Sequence, residues 1–217
     1  MTVAWDFGDG NTATAPIEEP VTHTYLVPGD HPVTATVGSR PAEGATAAAR
    51  SRNLLPSDDA ASLEGGQPYT SYNSSLSRTT ERAVHGEHSL RIILSGFDGQ
   101  ARGPVTPADI DVSGRRLTLM ASFWAVDSPS RVSLRYWNMN AAGGQISGGT
   151  VQAFDSQIPA GEWVAIRVEI DARVDAPRGR LVPGLYSGGT MLDVDRLGIF
   201  FGSVASQDWS LPSEFQP

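Results

Sequence analysis

The stretch that decides the fold is LDVDRLGIFFGSVASQDWSLP, residues 192–212. In an extended chain alternate side chains share a face, so Leu192 and Val194 point the same way. The apolar set then changes phase and continues on Leu197, Ile199 and Phe201. A phase change inside a strand predicts a β-bulge, here at the step from Asp195 to Arg196, because an extra residue re-aims the side chains that follow.

The two acids beside this step also carry a prediction. Asp193 and Asp195 are poor strand formers, so nearby groups are expected to compensate for them. Gly202 ends the strand, and Trp209 followed by Leu211-Pro212 is typical of a flap that packs back across the sheet. We interpret the stretch as the closing strand of a β-sandwich whose partner strands come from the rest of the chain.

Composition and charge narrow the class of protein. A chain of 217 residues with 40% hydrophobic content is long enough for one large or two small packed domains. The net charge of -8 argues against nucleic acid and against an anionic membrane surface as partners. No apolar run is long enough for membrane insertion. The opening segment MTVAWDFGDG lacks a signal-peptide pattern, which predicts either that the chain is not secreted by the usual route or that a leader has been removed.

The first part of the chain alternates as strands do. Val3, Trp5 and Phe7 precede the turn at 8–11, a second strand is predicted at 21–26, and a third follows the turn at 28–30. Alanine favours helix intrinsically, so 45–49 could be helix or strand on composition, and strand is the prediction adopted.

The segments WDFGDG, THTY and PGDHPVTATV together resemble the second half of a PKD repeat, an immunoglobulin-like sandwich. The resemblance implies that Asp6, Asp9, His23 and Tyr25 are structural. The strands that open the family's fold have no counterpart before WDFGDG, so residues 1–50 are predicted to be a truncated module with an uncovered apolar face. We expect that face to dock on the second domain or on another chain through Val3, Trp5, Val33, Ala35 and Val37.

A new unit begins at Asn53, and its sequence pattern predicts an all-β fold. Short alternating strands are predicted at 75–78, 88–95, 117–126, 131–139, 151–154 and 162–170. The glycines of 143–149 predict a hairpin loop, and no segment makes a convincing helix. Regularly spaced strands and turns predict an antiparallel sandwich or jelly roll over 53–212.

The segments NLLP, SLE, SLSRTTERAVHGEHSLRI, LTLMASFWAV, AGEWVAIRVEI and DVDRLGIFFG resemble, in this order, the carbohydrate-binding jelly rolls of families four and nine. The closing piece, with its following Trp and Pro, is similar to virion domains of actinobacteriophages. This resemblance implies a minor tail or head-surface protein of the phage particle. Its expected partners are other virion proteins, further copies in a homo-oligomer or symmetric array, and a host-surface glycan.

The resemblance to carbohydrate-binding jelly rolls also implies a structural Ca²⁺. The matching positions are Glu64, the turn at Gly86-Glu87, and Asp195, with Asp193 as an alternate. Hard cations prefer several oxygen ligands, which two carboxylates and loop carbonyls could supply. His85 and His88 lie near Glu87, but residues three apart in an extended chain face opposite ways, so turn histidines are preferred to a transition-metal pair.

Sugar-binding sandwiches stack pyranose rings on exposed aromatic side chains. Trp137, Trp163 and Tyr72 are the main candidates here, and Trp124 and Tyr69 are further ones. Trp137 is favoured because it is predicted to lie on a polar face beside Arg135. Such a Trp can equally pack against a neighbouring loop or chain, since exposed aromatic rings also mark protein interfaces, and that alternative is preferred for Trp137.

No catalytic motif is present, so the chain is predicted not to be an enzyme. The predicted function is that of a phage virion structural protein that docks through residues 1–50 and displays the jelly roll outward. The alternative is a carbohydrate-binding accessory module of a secreted bacterial glycoside hydrolase.

Overall fold

The structure, a computed structural model, describes residues 2–23, 25, 29–38, 40–41, 45–49, 53–204 and 209. The chain divides into two compact units, Met1–Ser51 and Arg52–Pro217, and each is described by itself. Among the described residues, no helix has the length and apolar character that crossing a bilayer requires.

The N-terminal unit is a small antiparallel β-structure. Its strands are β1 (Thr2–Asp6), β2 (Thr12–Pro16), β3 (Gly29–Val37), β4 (Arg40–Pro41) and β5 (Ala45–Ala49). They are ordered β2-β1-β3-β4, and β5 pairs with the first half of β3. The strand prediction for 45–49 is therefore confirmed.

The second predicted strand, at 21–26, is wrong where the structure describes it. Residues 21–23 are not in a strand, and β2 lies before them at Thr12–Pro16; Thr24 and Leu26 lie outside the described residues. Aromatic stacking holds this segment instead, because the His23 ring stacks on Phe7 at 4.2 Å and the Tyr25 ring on His31 at 4.2 Å. His23 also lies 2.7 Å from Asp9, and this hydrogen bond lowers the pKa of Asp9 to about 2.

The residues predicted to dock share one face of the β1–β3 pair. Val3 lies opposite Val37, and Trp5 lies opposite Ala35. Val3 and Ala35 are buried, whereas Trp5, Val33 and Val37 are half-buried. What covers this face stays a prediction.

The C-terminal unit is a sandwich of two five-stranded antiparallel sheets. The elements are α1 (Asp58–Ser62), β6 (Thr70–Tyr72), β7 (Ser74–Thr79), β8 (Ser89–Leu94), β9 (Gly99–Arg102), β10 (Arg116–Ala125), β11 (Ser130–Met139), β12 (Gln145–Ile158), β13 (Trp163–Asp171), β14 (Arg178–Ser187) and β15 (Met191–Phe201). Sheet one has the order β13-β10-β15-β8-β7, and sheet two the order β12-β11-β14-β9-β6. The all-β fold class is confirmed.

The core lies between the two sheets and follows from strand alternation. Sheet one contributes Leu117, Leu119 and Phe123 of β10, all fully buried, and sheet two contributes Leu134 and Tyr136 of β11. The predicted alternation of β10 and β11 is thereby confirmed, and the outer faces of both sheets are left to other side chains.

The bulge in the closing strand is confirmed. Met120 of β10 pairs with Gly198, whereas Ser122 pairs with Asp195, so two residues of β15 lie opposite one residue of β10. At the bulge, Arg196 adopts a left-handed backbone conformation with a φ of 49°. The bulge turns Leu197, Ile199 and Phe201 toward the core.

The Trp209 flap is also confirmed for the residue that the structure describes. The Trp209 indole donates a hydrogen bond to the Leu197 carbonyl at 3.1 Å and packs against Met120, Phe200 and Val204. Leu211 and Pro212, which were predicted to take part, lie outside the described residues.

Several elements of this unit differ from the sequence-based prediction, which lacked β6 and β9 altogether. A helical turn, α1, forms at Asp58–Ser62 because the Ser57 hydroxyl caps it by accepting from the Ala60 N–H. β12 begins at Gln145, so part of the predicted glycine loop is strand. β14 was not predicted; it contains Pro183 and two glycines, which are uncommon in a central strand, yet it lies between β11 and β9.

Candidate functional site

The outer face of sheet two, on the side away from the core, gathers polar and aromatic side chains. The register places Asp155, Ser133, Gly184, Gln100 and Tyr72 in one row across β12, β11, β14, β9 and β6. In the adjacent rows Arg135 lies opposite Val182, and Trp137 lies opposite Arg180. We call this surface the Trp137 face, consisting of Tyr72, Gln100, Arg102, Arg135, Trp137, Arg180 and Tyr186.

Trp137 lies on the predicted face, and its ring is packed rather than open. Its exposed fraction is only 9%, and its ring packs with Met139, Val182 and Val105. The Arg102 guanidinium lies 5.0 Å from the indole centre, and that of Arg180 lies 6.0 Å away. Arginine side chains from the neighbouring strands β9 and β14 therefore cover the ring. Sequence alternation within β11 could not reveal this.

Tyr72 is the exposed aromatic residue of this face. Its exposed fraction is 43%, and the Arg102 guanidinium stacks 4.3 Å from its ring centre. Arg102 thus lies between Tyr72 and Trp137, which joins two of the three predicted sugar-binding residues into one site.

A hydrogen-bonded network extends from this centre. The Arg135 Nη2 donates to Asp98 at 2.7 Å, its Nε donates to Gln152 at 3.0 Å, and the Gln100 amide donates to the other Asp98 oxygen at 2.9 Å. Arg135 also stacks 4.7 Å from the Tyr186 ring. These contacts hold the side chains in fixed positions, as a preformed binding surface requires.

At one edge of the Trp137 face a second ion pair forms. Arg131 donates to both oxygens of Asp155, at 2.7 and 2.8 Å. The hydrogen bond from this guanidinium lowers the pKa of Asp155. Both acids in the network, Asp98 and Asp155, are therefore already engaged by arginine.

Arg102 and Arg180 differ from these paired arginines. Neither forms a salt bridge with any residue that the structure describes, and the one hydrogen bond of the Arg102 guanidinium to these residues is a long one to Gln100 at 3.4 Å. Burial, together with the charge of Arg102, lowers the pKa of Arg180. The Nε of Arg180 and the hydroxyl of the fully buried Ser133 lack hydrogen-bond partners within the described part of the chain, which is uncommon for buried polar atoms.

Trp163, the third predicted sugar-binding residue, lies elsewhere. It is on the outer face of sheet one, opposite Trp124, with the two rings 5.8 Å apart and tilted by 64°. The Arg82 guanidinium lies 5.1 Å from the Trp124 ring. The structure therefore does not bring Trp163 together with Tyr72 and Trp137.

Tyr69 is not available to a ligand. Its exposed fraction is 5%, and its hydroxyl donates to the Ala60 carbonyl at 2.6 Å. Its candidacy as a stacking residue is wrong, because it belongs to the core beneath α1.

The carboxylates predicted to bind calcium have nitrogen partners. Glu64 accepts from the backbone N–H groups of Glu87 and His88 through one oxygen, both at 2.9 Å, and its other oxygen lies 3.0 Å from the His88 ring nitrogen. Burial raises the pKa of Glu64, but these hydrogen bonds outweigh it and leave the pKa lowered.

Asp195 is engaged in the same way. One oxygen accepts from the N–H groups of Val84 and His85 at 2.6 and 2.9 Å, and the other accepts from Arg196 at 2.6 Å. Burial raises the pKa of Asp195, although the N–H groups act against this. Every carboxylate oxygen of the pair thus faces a nitrogen, and N–H dipoles compete with a cation for the same lone pairs. In this arrangement the residues do not fit a Ca²⁺ site.

No group of three or more His, Asp or Glu residues that could hold a metal occurs within the described ranges. The alternate ligand Asp193 is bound by two arginines, Arg82 and Arg91. Calcium stays a prediction from the resemblance, and one that this geometry opposes.

Chelation tests the calcium prediction. We expect EDTA to leave the melting temperature of the protein unchanged, because backbone N–H groups already satisfy Glu64 and Asp195. The measurement is differential scanning calorimetry in EDTA and in millimolar CaCl₂. A fall of the melting temperature in EDTA that CaCl₂ reverses would restore the predicted metal site.

Sequence reasoning missed the residues of this face that lie on β9 and β14. Arg102, Arg180 and Tyr186 lie on strands that were not predicted. Leu181 and Leu185 share one face of an extended chain, which was a usable indication of β14, although Pro183 lies between them.

The N-terminal unit matches a known family. The PKD domain matches residues 1–50, so the chain carries a PKD domain at its N-terminus and the predicted resemblance is confirmed. No curated protein sequence gives a significant match to the chain.

The C-terminal unit is similar in structure to carbohydrate-binding modules. The CBM22-1 xylan-binding domain of Paenibacillus barcinonensis Xyn10C has a TM-score of 0.51 at 15% identity, over 73% of this chain and 100% of that one. The CBM22-1–GH10 modules of Clostridium thermocellum endo-1,4-β-D-xylanase 10B, complexed with xylohexaose, give 0.54 at 10% identity, over 71% and 29%. The enzymatically active domain of bacteriophage CBA120 tailspike protein 4 gives 0.52 at 9% identity, over 69% and 21%. Identities this low show the fold alone, a β-sandwich of the carbohydrate-binding-module type.

Proposed function

We propose that the C-terminal sandwich is a non-catalytic carbohydrate-binding module and that the Trp137 face is its binding surface. The observation that carries the proposal is the exposed Tyr72 ring, stacked on Arg102 within a preformed network of hydrogen-bonding side chains. A sugar offers apolar C–H faces to an aromatic ring and hydroxyl groups to polar side chains, and this face supplies both kinds of partner.

The setting proposed for the module is an accessory domain of a secreted bacterial glycoside hydrolase. Its support is that the structures with the same sandwich include a family 22 module joined to a GH10 catalytic module. The virion role stays a prediction, because the likeness to a phage tailspike concerns the fold only. A catalytic domain encoded beside this chain favours the hydrolase setting, and co-purification with phage particles would favour the virion.

Substitution of Tyr72 tests the binding surface. Tyr72→Ala is expected to weaken polysaccharide binding about tenfold, since an aromatic contact contributes on the order of 1.5 kcal/mol. The measurement is affinity electrophoresis against a panel of plant and bacterial polysaccharides, followed by calorimetry on those that bind.

Trp163→Ala is the matched control, because Trp163 is a half-buried aromatic residue on the outer face of sheet one. It is expected to retain binding, with melting temperatures recorded for both variants. Loss of binding in Trp163→Ala but not in Tyr72→Ala would move the site to sheet one, and failure of the unmodified protein to bind any polysaccharide would overturn the proposed function.

A further inference from the structure

The Trp137 face carries more arginine side chains than its neighbouring carboxylates neutralise. Its arginines and the adjacent Arg131 face two acids, Asp98 and Asp155, and each acid is held by one arginine at 2.7 Å. Arg102 and Arg180 are left without a carboxylate among the described residues. The whole chain has a net charge of -8, so this local excess of cations runs against the overall balance.

The two unpaired guanidinium groups lie together. Both lie over the Trp137 ring, with their central carbons 5.0 and 6.0 Å from its centre, and Arg102 is also stacked on Tyr72 at 4.3 Å. The aromatic rings hold both groups in place, although the charges repel each other and Arg180 is half-buried. Two guanidinium groups that are held close together despite their repulsion and partial burial favour the binding of an anion.

We infer that the Trp137 face binds an anionic polysaccharide, whose carboxylate or sulfate oxygens are held by Arg102 and Arg180. The inference rests on the proposed function and specifies its class of ligand. The planar guanidinium fork matches two oxygens of one anionic group, which gives geometric selectivity in addition to charge. Tyr72 is then free to stack on the neighbouring sugar ring.

The test compares charged polysaccharides with their neutral counterparts. The carboxylate probes are polygalacturonate, alginate and glucuronoxylan, each beside its carboxyl-reduced form, and the sulfate probe is dextran sulfate beside dextran. We expect the charged form of at least one pair to bind at least about tenfold more tightly than its neutral form, as charge-assisted hydrogen bonds contribute more than neutral ones. The pair that shows this preference identifies the anion as carboxylate or sulfate.

Variants connect the preference to the two arginines. Arg102→Gln and Arg180→Gln should each abolish the preference for the charged form, whereas Arg102→Lys, which keeps the charge without the fork, should retain part of it. Arg116→Gln is the control, because it removes the same charge from an arginine that is 60% exposed on sheet one. It should leave the preference unchanged.

The free protein gives a second readout. Arg180→Gln is expected to raise the melting temperature in the absence of polysaccharide, since it removes a half-buried cation that Arg102 repels. A purely structural role for Arg180 predicts a lower melting temperature.

The outcomes separate the two proposals. Binding of neutral and charged forms with equal affinity, or a preference that survives both glutamine variants, overturns the anionic ligand and leaves the carbohydrate-binding function intact. Absence of binding to every polysaccharide overturns both.

Discussion

Replacing Asp193 by Asn is expected to lower the free energy of unfolding by about 3 kcal/mol. The Asp193 carboxylate is fully buried in β15 and accepts from Arg82 at 2.7 Å and from Arg91 at 2.7 and 2.9 Å. Its hydrogen bonds, with those of Glu81, raise the pKa of Arg91. An amide cannot neutralise either guanidinium, so the substitution leaves the two cations at the centre of sheet one with Glu81 as their one remaining carboxylate among the described residues.

Urea denaturation followed by tryptophan fluorescence measures this loss. Asp171→Asn is the matched control, because Asp171 is 71% exposed and its contact with Arg116 is a surface pair at 3.3 Å. The control should change the free energy of unfolding by no more than about 0.5 kcal/mol. Equal effects of the two substitutions would show that the buried position of Asp193 contributes nothing.

The second large effect is expected in the core. Phe123→Ala should cost about 3–5 kcal/mol, the range for truncating a buried aromatic side chain. Phe123 is fully buried in β10, which pairs with β13 on one side and β15 on the other, so the backbone has little freedom to close the cavity.

Phe97→Ala provides the comparison for the same change of side chain. Phe97 is 69% exposed and contacts Tyr186 edge-on at 5.6 Å, so its loss should cost no more than about 0.5 kcal/mol. The measurement is again urea denaturation with a shared m-value. A cost below about 1 kcal/mol for Phe123→Ala would contradict the assignment of the core between the sheets.

Much of the fold could be predicted because strand alternation is a local property. The faces of β10, β11 and β13 follow from which residues alternate, and the bulge follows from the change of phase at Asp195. Prediction failed where local chemistry pointed elsewhere. β14 was missed, and it contains Pro183, a residue that is uncommon in a central strand. The alternating segment predicted as a strand at 21–26 is held, where the structure describes it, by stacked rings around His23.

The candidate site could be predicted only in part. Tyr72 and Trp137 were identified from residue type and alternation, and they do share a face. Alternation tells which side of its own strand a residue occupies but not what the neighbouring strands place over it. Alternation therefore could not show that Arg102 of β9 and Arg180 of β14 cover Trp137.

The closing strand shows most clearly the difference between what the sequence determined and what only the tertiary structure decided. By itself the sequence determined that a strand with a bulge lies at 192–201, and that two acids within it need compensation, because both conclusions depend on neighbours along the chain. Only the tertiary structure decided what compensates them: Arg82 and Arg91 for Asp193, and the backbone N–H groups of Val84 and His85 for Asp195. These partners are more than a hundred residues away in sequence, and only the pairing of β15 with β8 brings them into contact.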